Sequence, residues 1–148
     1  MNKFMCRRYL LFCVSLFVNA LGIAFITKAA LGTSPITSVT YVLSMFTPFT
    51  IGQWTILLNL LFVILELFLM TREDLKSDLR MYLLQIPISF CFGMFIDLCM
   101  HYILFWLNPV EYVYMIVALL IGCVILAVGI ALEVKANAAM MAGEYFVK

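Results

Sequence analysis

Residues 9–35 read YLLFCVSLFVNALGIAFITKAALGTSP, an apolar run that reaches a lysine and then breaks at glycine and proline. Its apolar part, Tyr9 to Ile26, is close to the ~20 residues that a helix needs to cross a bilayer. Lys3, Arg7 and Arg8 precede it, which is typical of a cytoplasmic start. A signal peptide has a similar front, but the chain beyond the polar break is again apolar. We therefore predict a first membrane span here.

The composition excludes a water-soluble globule. Hydrophobic residues make up 66% of the 148 residues and charged residues 11%, against about 45–50% and about 25% in soluble domains. This length accommodates about four spans and no separate soluble domain, so we predict a single transmembrane domain over residues 1–148 in contact with the lipid bilayer. A net charge of +1 argues against a nucleic-acid partner. The five cysteines have no CxxC spacing and predict neither a disulfide framework nor a metal site.

The break after Lys28 predicts a short helix rather than a full span. Gly32 interrupts the first helix, and Pro35 favours the start of a new one. From Ile36 to Phe46 this helix has about a dozen residues, or ~17 Å, about half of the hydrocarbon thickness. We predict a re-entrant segment, whose irregular backbone must be buried in protein or line a wet cavity.

Three further apolar runs predict three more spans, over Trp54 to Met70, Met81 to Trp106 and Tyr112 to Leu132. The polar stretch Thr71 to Arg80 is predicted to be a cytoplasmic loop. With the short helix re-entrant, eight Lys and Arg residues lie inside and only Lys28 outside, as the positive-inside rule requires. The expected fold is all-α integral membrane, with about four transmembrane helices, re-entrant or broken helices and both termini in the cytoplasm.

A weak internal repeat runs through the chain. The segment Ala20-Leu21-Gly22-Ile23-Ala24, with Lys28-Ala29, recurs 107 positions later as Ala127-Val128-Gly129-Ile130-Ala131, with Lys135-Ala136. Repeat one covers residues 9–107 and a partial repeat two covers residues 112–148. The predicted topology runs the copies in opposite directions, which is the inverted-repeat architecture of secondary transporters. Chance recurrence of small residues in membrane helices is the alternative.

The second copy is incomplete, because residue 148 corresponds to Tyr41 in the first. We expect either that this is a truncated reading of a longer protein or that two copies of the chain associate as a homodimer to complete one cavity. Truncation is the favoured interpretation.

These residues resemble a family of small bacterial membrane proteins, the YczE/YyaS/YitT-like group. The resemblance rests on Gly22-Ile23-Ala24 leading into Lys28-Ala29-Ala30-Leu31-Gly32-Thr33-Ser34-Pro35, on Gly52-Gln53-Trp54 and on Phe92-Gly93-Met94-Phe95-Ile96-Asp97. It implies a multi-pass protein of the bacterial cytoplasmic (inner) membrane and supports the fold more than a function. Ala142 departs from the family pattern, in which a proline commonly precedes the pair seen here as Gly143-Glu144.

Asp97 is the first candidate for function, because an acidic side chain inside a span is costly and is usually paired, cavity-facing or protonated. Proton or cation coupling is one interpretation. A structural hydrogen bond to a neighbouring helix, or a position near the outer surface, is the other. His101 lies four residues on and could share its helix face.

A second candidate is the start of the Pro35 helix. Thr33, Ser34 and the free backbone N–H groups after Pro35 could hold a carboxylate or another anion, with Ser34 as the helix cap. An ordinary capped turn at the surface is the alternative. Glu144 would mirror this element in the second repeat, with a solvated cytoplasmic end as its alternative.

Two polar residues have structural predictions. Asn19 is expected to bond between helices, and Glu133 is expected either to flank the second broken helix or to be solvated at the cytoplasmic end. No catalytic motif is present, so we expect no enzyme and no cofactor. The predicted function is a transporter or permease-like protein for a small polar or anionic solute. The alternative is a membrane-embedded accessory or regulatory subunit without transport activity.

Overall fold

A computed structural model of the chain describes residues 3–69, 72–107 and 111–145, and every regular element in those ranges is helical. The predicted all-α class is confirmed. The elements are α1 (Lys3–Lys28), α2 (Pro35–Phe46), α3 (Ile51–Leu69), α4 (Arg72–Leu98), a π-helical turn (Cys99–Ile103) and α5 (Tyr112–Tyr145). They form two compact units, one of Met1–Thr33 with Cys99–Lys148 and one of Ser34–Leu98.

Three helical stretches are long and apolar enough to cross a membrane: Leu10–Lys28, Gln85–Ile103 and Tyr112–Ala136. They indicate a membrane protein. The predicted span from Trp54 falls in α3, where the apolar stretch Ile51–Leu65 belongs with the shorter helices; Met70, its predicted end, lies outside the described residues. The number of four crossings and the re-entrant path of α2 stay predictions.

The start of α2 is as predicted. Ser34 has extended backbone angles (φ −63°, ψ 155°), and its hydroxyl accepts a hydrogen bond from the Thr37 N–H, with Pro35 in the first turn. The cap satisfies one of the free N–H groups at the helix start. Before it, Ala30 (φ 55°) and Gly32 (φ 143°) turn the chain out of α1, so the break depends on a left-handed backbone as well as on proline.

The prediction that the polar stretch forms a loop is wrong, because helix α4 begins at Arg72 and includes Arg80. Arg, Glu, Lys, Leu and Met are all good helix formers. Charged residues indicate where a chain leaves the membrane, but they do not indicate whether the chain there is a loop or a helix.

Helix α5 is also longer than predicted, because it continues past Leu132 to Tyr145. At the positions that correspond to Gly32, Thr33, Ser34 and Pro35, the second copy has Ala139, Met140, Met141 and Ala142. Alanine and methionine favour helix, whereas glycine and proline end it. The backbone break of the first copy therefore has no counterpart in the second.

In the first unit, α1 and α5 pack antiparallel at contacts made by glycine. A methyl group on Gly22 would lie 2.8 Å from the backbone nitrogen of Leu126, and one on Gly122 would lie 2.8 Å from the Ile26 side chain. Such small residues allow the backbones of membrane helices to approach closely. The register brings Gly129 against Asn19.

In the second unit, α3 and α4 make a similar contact. The backbones of Gly52 and Gly93 meet, and a methyl group on Gly52 would overlap the Gly93 carbonyl oxygen and the Asp97 carboxyl group. The pairs Gly52–Asp97 and Ile56–Gly93 show that these helices also run antiparallel. This contact positions Asp97 beside the first turn of α3.

Candidate polar site in an antiparallel helix pair

Asn19 and Glu133 form a hydrogen bond between α1 and α5. The Asn19 side-chain nitrogen donates to Glu133 Oε2 at 2.7 Å. Asn19 lies nine residues from each end of the apolar stretch Leu10–Lys28, or about 14 Å from either end at 1.5 Å per residue. Glu133 itself lies three residues before the end of the apolar stretch Tyr112–Ala136 of α5, and its carboxylate meets Asn19 at the middle of the apolar part of α1.

The same amide has one atom without a partner. Asn19 is 6% exposed, and its Oδ1 has no hydrogen-bond partner among the described residues. A buried acceptor left without a donor costs roughly 1–3 kcal/mol. An ionised carboxylate has only acceptors and cannot supply that donor. The pair in this form satisfies the amide N–H but not the amide oxygen.

Local sequence explains why the pair forms here. Gly129 is one helical turn before Glu133, and a side chain at Gly129 would collide with the Asn19 carboxamide. Helix side chains point back towards the N-terminus, so Glu133 reaches across the space beside Gly129. Ser15 is fully buried one turn before Asn19, and its hydroxyl donates to the Phe12 carbonyl at 2.7 Å.

Asp97 caps helix α3. Its Oδ1 accepts from the Gly52 N–H at 2.9 Å, and its Oδ2 accepts from the Thr50 hydroxyl at 2.6 Å. Ionised acceptors are favoured at a helix N-terminus, where the N–H groups are free and the helix dipole is positive. This is the structural hydrogen bond to a neighbouring helix that the sequence allowed as one interpretation of Asp97.

The start of α3 is further organised by a reciprocal cap. The Thr50 N–H donates to Gln53 Oε1 at 3.1 Å, and the Gln53 N–H donates to Thr50 Oγ1 at 3.2 Å. This is the capping-box pattern. Trp54 Nε1 donates to Thr47 Oγ1 at 2.7 Å, and the Trp54 ring meets Phe49 edge to face. The turn before α3 is therefore specified by its own side chains.

The other predicted site residues have separate surroundings. Ser34 bonds to Thr37 within α2, and Pro35 is exposed in the first turn of the same helix. Thr33 is half-buried just before the cap, and His101 is exposed in the π-helical turn. The Glu144 side chain lies outside the described residues. No hydrogen bond joins two of the predicted site residues within the described part of the chain, and their roles in binding stay predictions.

Sequence reasoning missed the pairing of Glu133. The expected bond from Asn19 to another helix is confirmed. Glu133 was expected either to flank the second broken helix or to be solvated at the cytoplasmic end, and neither expectation included this bond. The internal repeat is the sequence feature that could have predicted this pairing. It places Gly22 and Gly129 at equivalent positions, and packing two such glycines antiparallel brings Asn19 within reach of Glu133.

A single family model covers both helix pairs. A family model for a family of unknown function, DUF6198, matches residues 6–148. The chain belongs to this family. Neither a curated protein nor a solved structure matches the chain. The match to DUF6198 covers nearly the whole chain. The resemblance to the YczE/YyaS/YitT-like group stays a prediction.

Proposed function

We propose that this DUF6198 protein is a transporter of a small polar or anionic solute, and that the α1–α5 pair contributes a carboxylate to its mechanism. The observation that carries the proposal is the Asn19–Glu133 hydrogen bond at the middle of the apolar part of α1. An ionisable group at membrane depth is expensive and usually marks a pathway for ions or solutes. A purely structural role would be served at lower cost by an uncharged pair.

The internal repeat supports an inverted architecture. Gly22 and Gly129 occupy equivalent positions in the two copies, and each is at a close contact of the antiparallel α1–α5 pair. Two copies that meet at their shared motif are what an inverted repeat requires, and transporters of this kind bind solute near the bilayer midplane. Lys28 and Lys135, also equivalent, would then lie towards opposite membrane faces.

We place the protein in the bacterial cytoplasmic membrane with both termini in the cytoplasm, on the charge distribution and the family resemblance. The proposed solute contacts are Thr33, Ser34, Pro35, Asp97 and Glu144. An anion would meet the Ile36 N–H and a positive helix end at the start of α2, where the Thr37 and Ser38 N–H groups already donate to Ser34.

The test is solute flux into proteoliposomes that contain the purified full-length protein. Labelled acetate, lactate, pyruvate and alanine are the probes, with protein-free liposomes as the background. We expect uptake of at least one probe by the native protein, and a loss of at least tenfold in Glu133→Gln and in the double variant Thr33→Ala with Ser34→Ala. Glu111→Gln, which changes an exposed glutamate just before α5, is the matched control and should transport normally.

The contrary result is equally specific. No flux of any probe, together with stable cross-linking of one partner protein in native membranes, would favour the accessory or regulatory subunit and remove the transport proposal.

A further inference from the structure

We propose that Glu133 binds a proton and that the buried Asn19 Oδ1 is the acceptor for that proton's hydrogen bond. The inference deepens the proposed transport function, on which it rests for its physiological meaning. The measurement that tests it needs no solute.

The argument starts from complementary donors and acceptors. A carboxamide has donors on nitrogen and an acceptor on oxygen, and a protonated carboxyl group has one of each. In the described state the amide donates to Glu133 Oε2 at 2.7 Å, and its own oxygen is buried without a partner. Protonation of the other carboxyl oxygen creates the one donor that is missing. Acid and amide can then form two hydrogen bonds side by side.

Burial of the Asn19 oxygen strengthens the hydrogen bond that a protonated Glu133 would donate to it. Asn19 is more than nine-tenths buried, and Gly129 packs against the amide, so water has poor access to Oδ1. A hydrogen bond is electrostatically stronger in such a low-dielectric position than in water. The proton comes from the aqueous phase and forms one O–H bond. The carboxyl group loses its negative charge, and no other bond changes.

A metal cation fits the site less well than a proton. The described oxygens that converge here are those of Asn19 and Glu133, while the Ser15 hydroxyl donates to the Phe12 carbonyl. Hard cations such as Mg²⁺ and Ca²⁺ require six or more oxygen ligands. A proton needs only one carboxyl oxygen of Glu133 to bind it and the unpartnered Asn19 Oδ1 to accept its hydrogen bond.

Within the described residues, Glu133 forms no ion pair with the charged groups of the elements that pack around it. On α1, Cys13 and Lys28 are exposed or half-buried, and the side chains of Arg7 and Arg8 lie outside the described residues. The π-helical turn that packs on α1 carries the exposed His101. On α5, Lys135 is exposed two residues along, a spacing at which helix side chains do not face each other. Asn19 is the hydrogen-bond partner of Glu133 among the described side chains.

Infrared difference spectroscopy between neutral and acidic buffer tests the proposal on the full-length protein in lipid nanodiscs without solute. We expect one component of the protonated-carboxyl C=O absorption to be lost in Glu133→Gln and kept in Glu111→Gln. In Asn19→Ala the band should move to higher wavenumber, because the carbonyl loses the amide N–H. The proposal is overturned if Glu133→Gln leaves the protonated-carboxyl absorption undiminished, or if Asn19→Ala leaves the Glu133 component at its native wavenumber.

Thermal unfolding of the same samples guards against misfolded variants. Glu133→Gln keeps an acceptor for the amide and adds a permanent donor, so it imitates the protonated state. At neutral pH it should unfold at a higher temperature than the native protein, and this gap should close as the pH falls and native Glu133 takes up its proton. A gap that stays constant with pH, or that depends on exchanging sodium for choline, would contradict a proton site.

The two proposals fail in different ways. Absent flux with the Glu133 band present would remove transport and leave the proton site, whereas solute flux without that band would do the reverse.

Discussion

Asp97 Oδ1 accepts a hydrogen bond from the Gly52 N–H at 2.9 Å, so a carboxylate on α4 caps the first turn of α3. Oδ2 of the same group accepts from Thr50. The side chain selected from the sequence as a candidate for ion coupling therefore has a structural role, and experiments can separate it from any role in transport.

Asp97→Ala should destabilise the protein more than Asp97→Asn. Alanine leaves Gly52 N–H and the Thr50 hydroxyl without this acceptor, at about 1–3 kcal/mol, whereas the asparagine oxygen can still accept from Gly52. Thermal unfolding in detergent measures the difference. If Asp97 also acts in transport, Asp97→Asn should lose flux while unfolding near the native temperature. Normal flux in Asp97→Asn would restrict the residue to capping.

Trp54→Phe should weaken the turn before α3 by about 0.5–1.5 kcal/mol, the net value of one hydrogen bond. Phenylalanine keeps an aromatic ring beside Phe49 but removes the donor to Thr47 and part of the apolar surface of the indole. Thr47→Val removes the acceptor, so the double variant should cost less than the sum of the two single variants. Additive losses in unfolding free energy would show that this hydrogen bond contributes nothing.

Gly129→Ala should separate α1 from α5. Its methyl group would lie 2.9 Å from the Asn19 backbone nitrogen and would also meet the carboxamide. Overpacking of this kind costs about 1–3 kcal/mol, which thermal unfolding would report as a clearly lower midpoint. Cys123→Ala, at an exposed position of the same helix, is the control and should unfold like the native protein. Equal midpoints for the two variants would refute a tight contact at Gly129.

Ala30→Gly should stabilise the protein. Ala30 has a φ of 55°, a left-handed conformation that costs alanine roughly 1–2 kcal/mol and costs glycine very little. Part of this gain is offset, because glycine loses more chain entropy on folding. Ala29→Gly, one residue earlier and fully buried, should destabilise instead. Unfolding midpoints that move in the same direction for both variants would contradict this assignment.

The polar start of α4 should face the cytoplasm. In a cysteine-free background, Ser77→Cys should react with an impermeant maleimide only after cells are opened, whereas Glu111→Cys should react from outside intact cells. The positive-inside count predicts this arrangement. Labelling of Ser77→Cys in intact cells would reverse the orientation and remove the argument for a re-entrant α2.

Several features of the fold follow from short stretches of sequence. The membrane class follows from the apolar runs, and the start of α2 follows from Ser34 and Pro35, which act on their immediate neighbours. The same local reasoning failed where a residue composition is compatible with both helix and loop. The polar stretch after Thr71 was predicted as a loop but is helical, and the second copy lacks the glycine and proline that break the first.

The sequence by itself determined that this is an all-helical membrane protein with a broken segment at Gly32 to Pro35, because hydrophobicity, capping and backbone restriction act within a few residues. Only the tertiary structure decided that Asn19 meets Glu133, 114 positions away, and that Asp97 caps α3. Those partners depend on the register of two packed helices, which the glycine contacts determine. Residue type alone shows that a polar group needs a partner, but not which group supplies it.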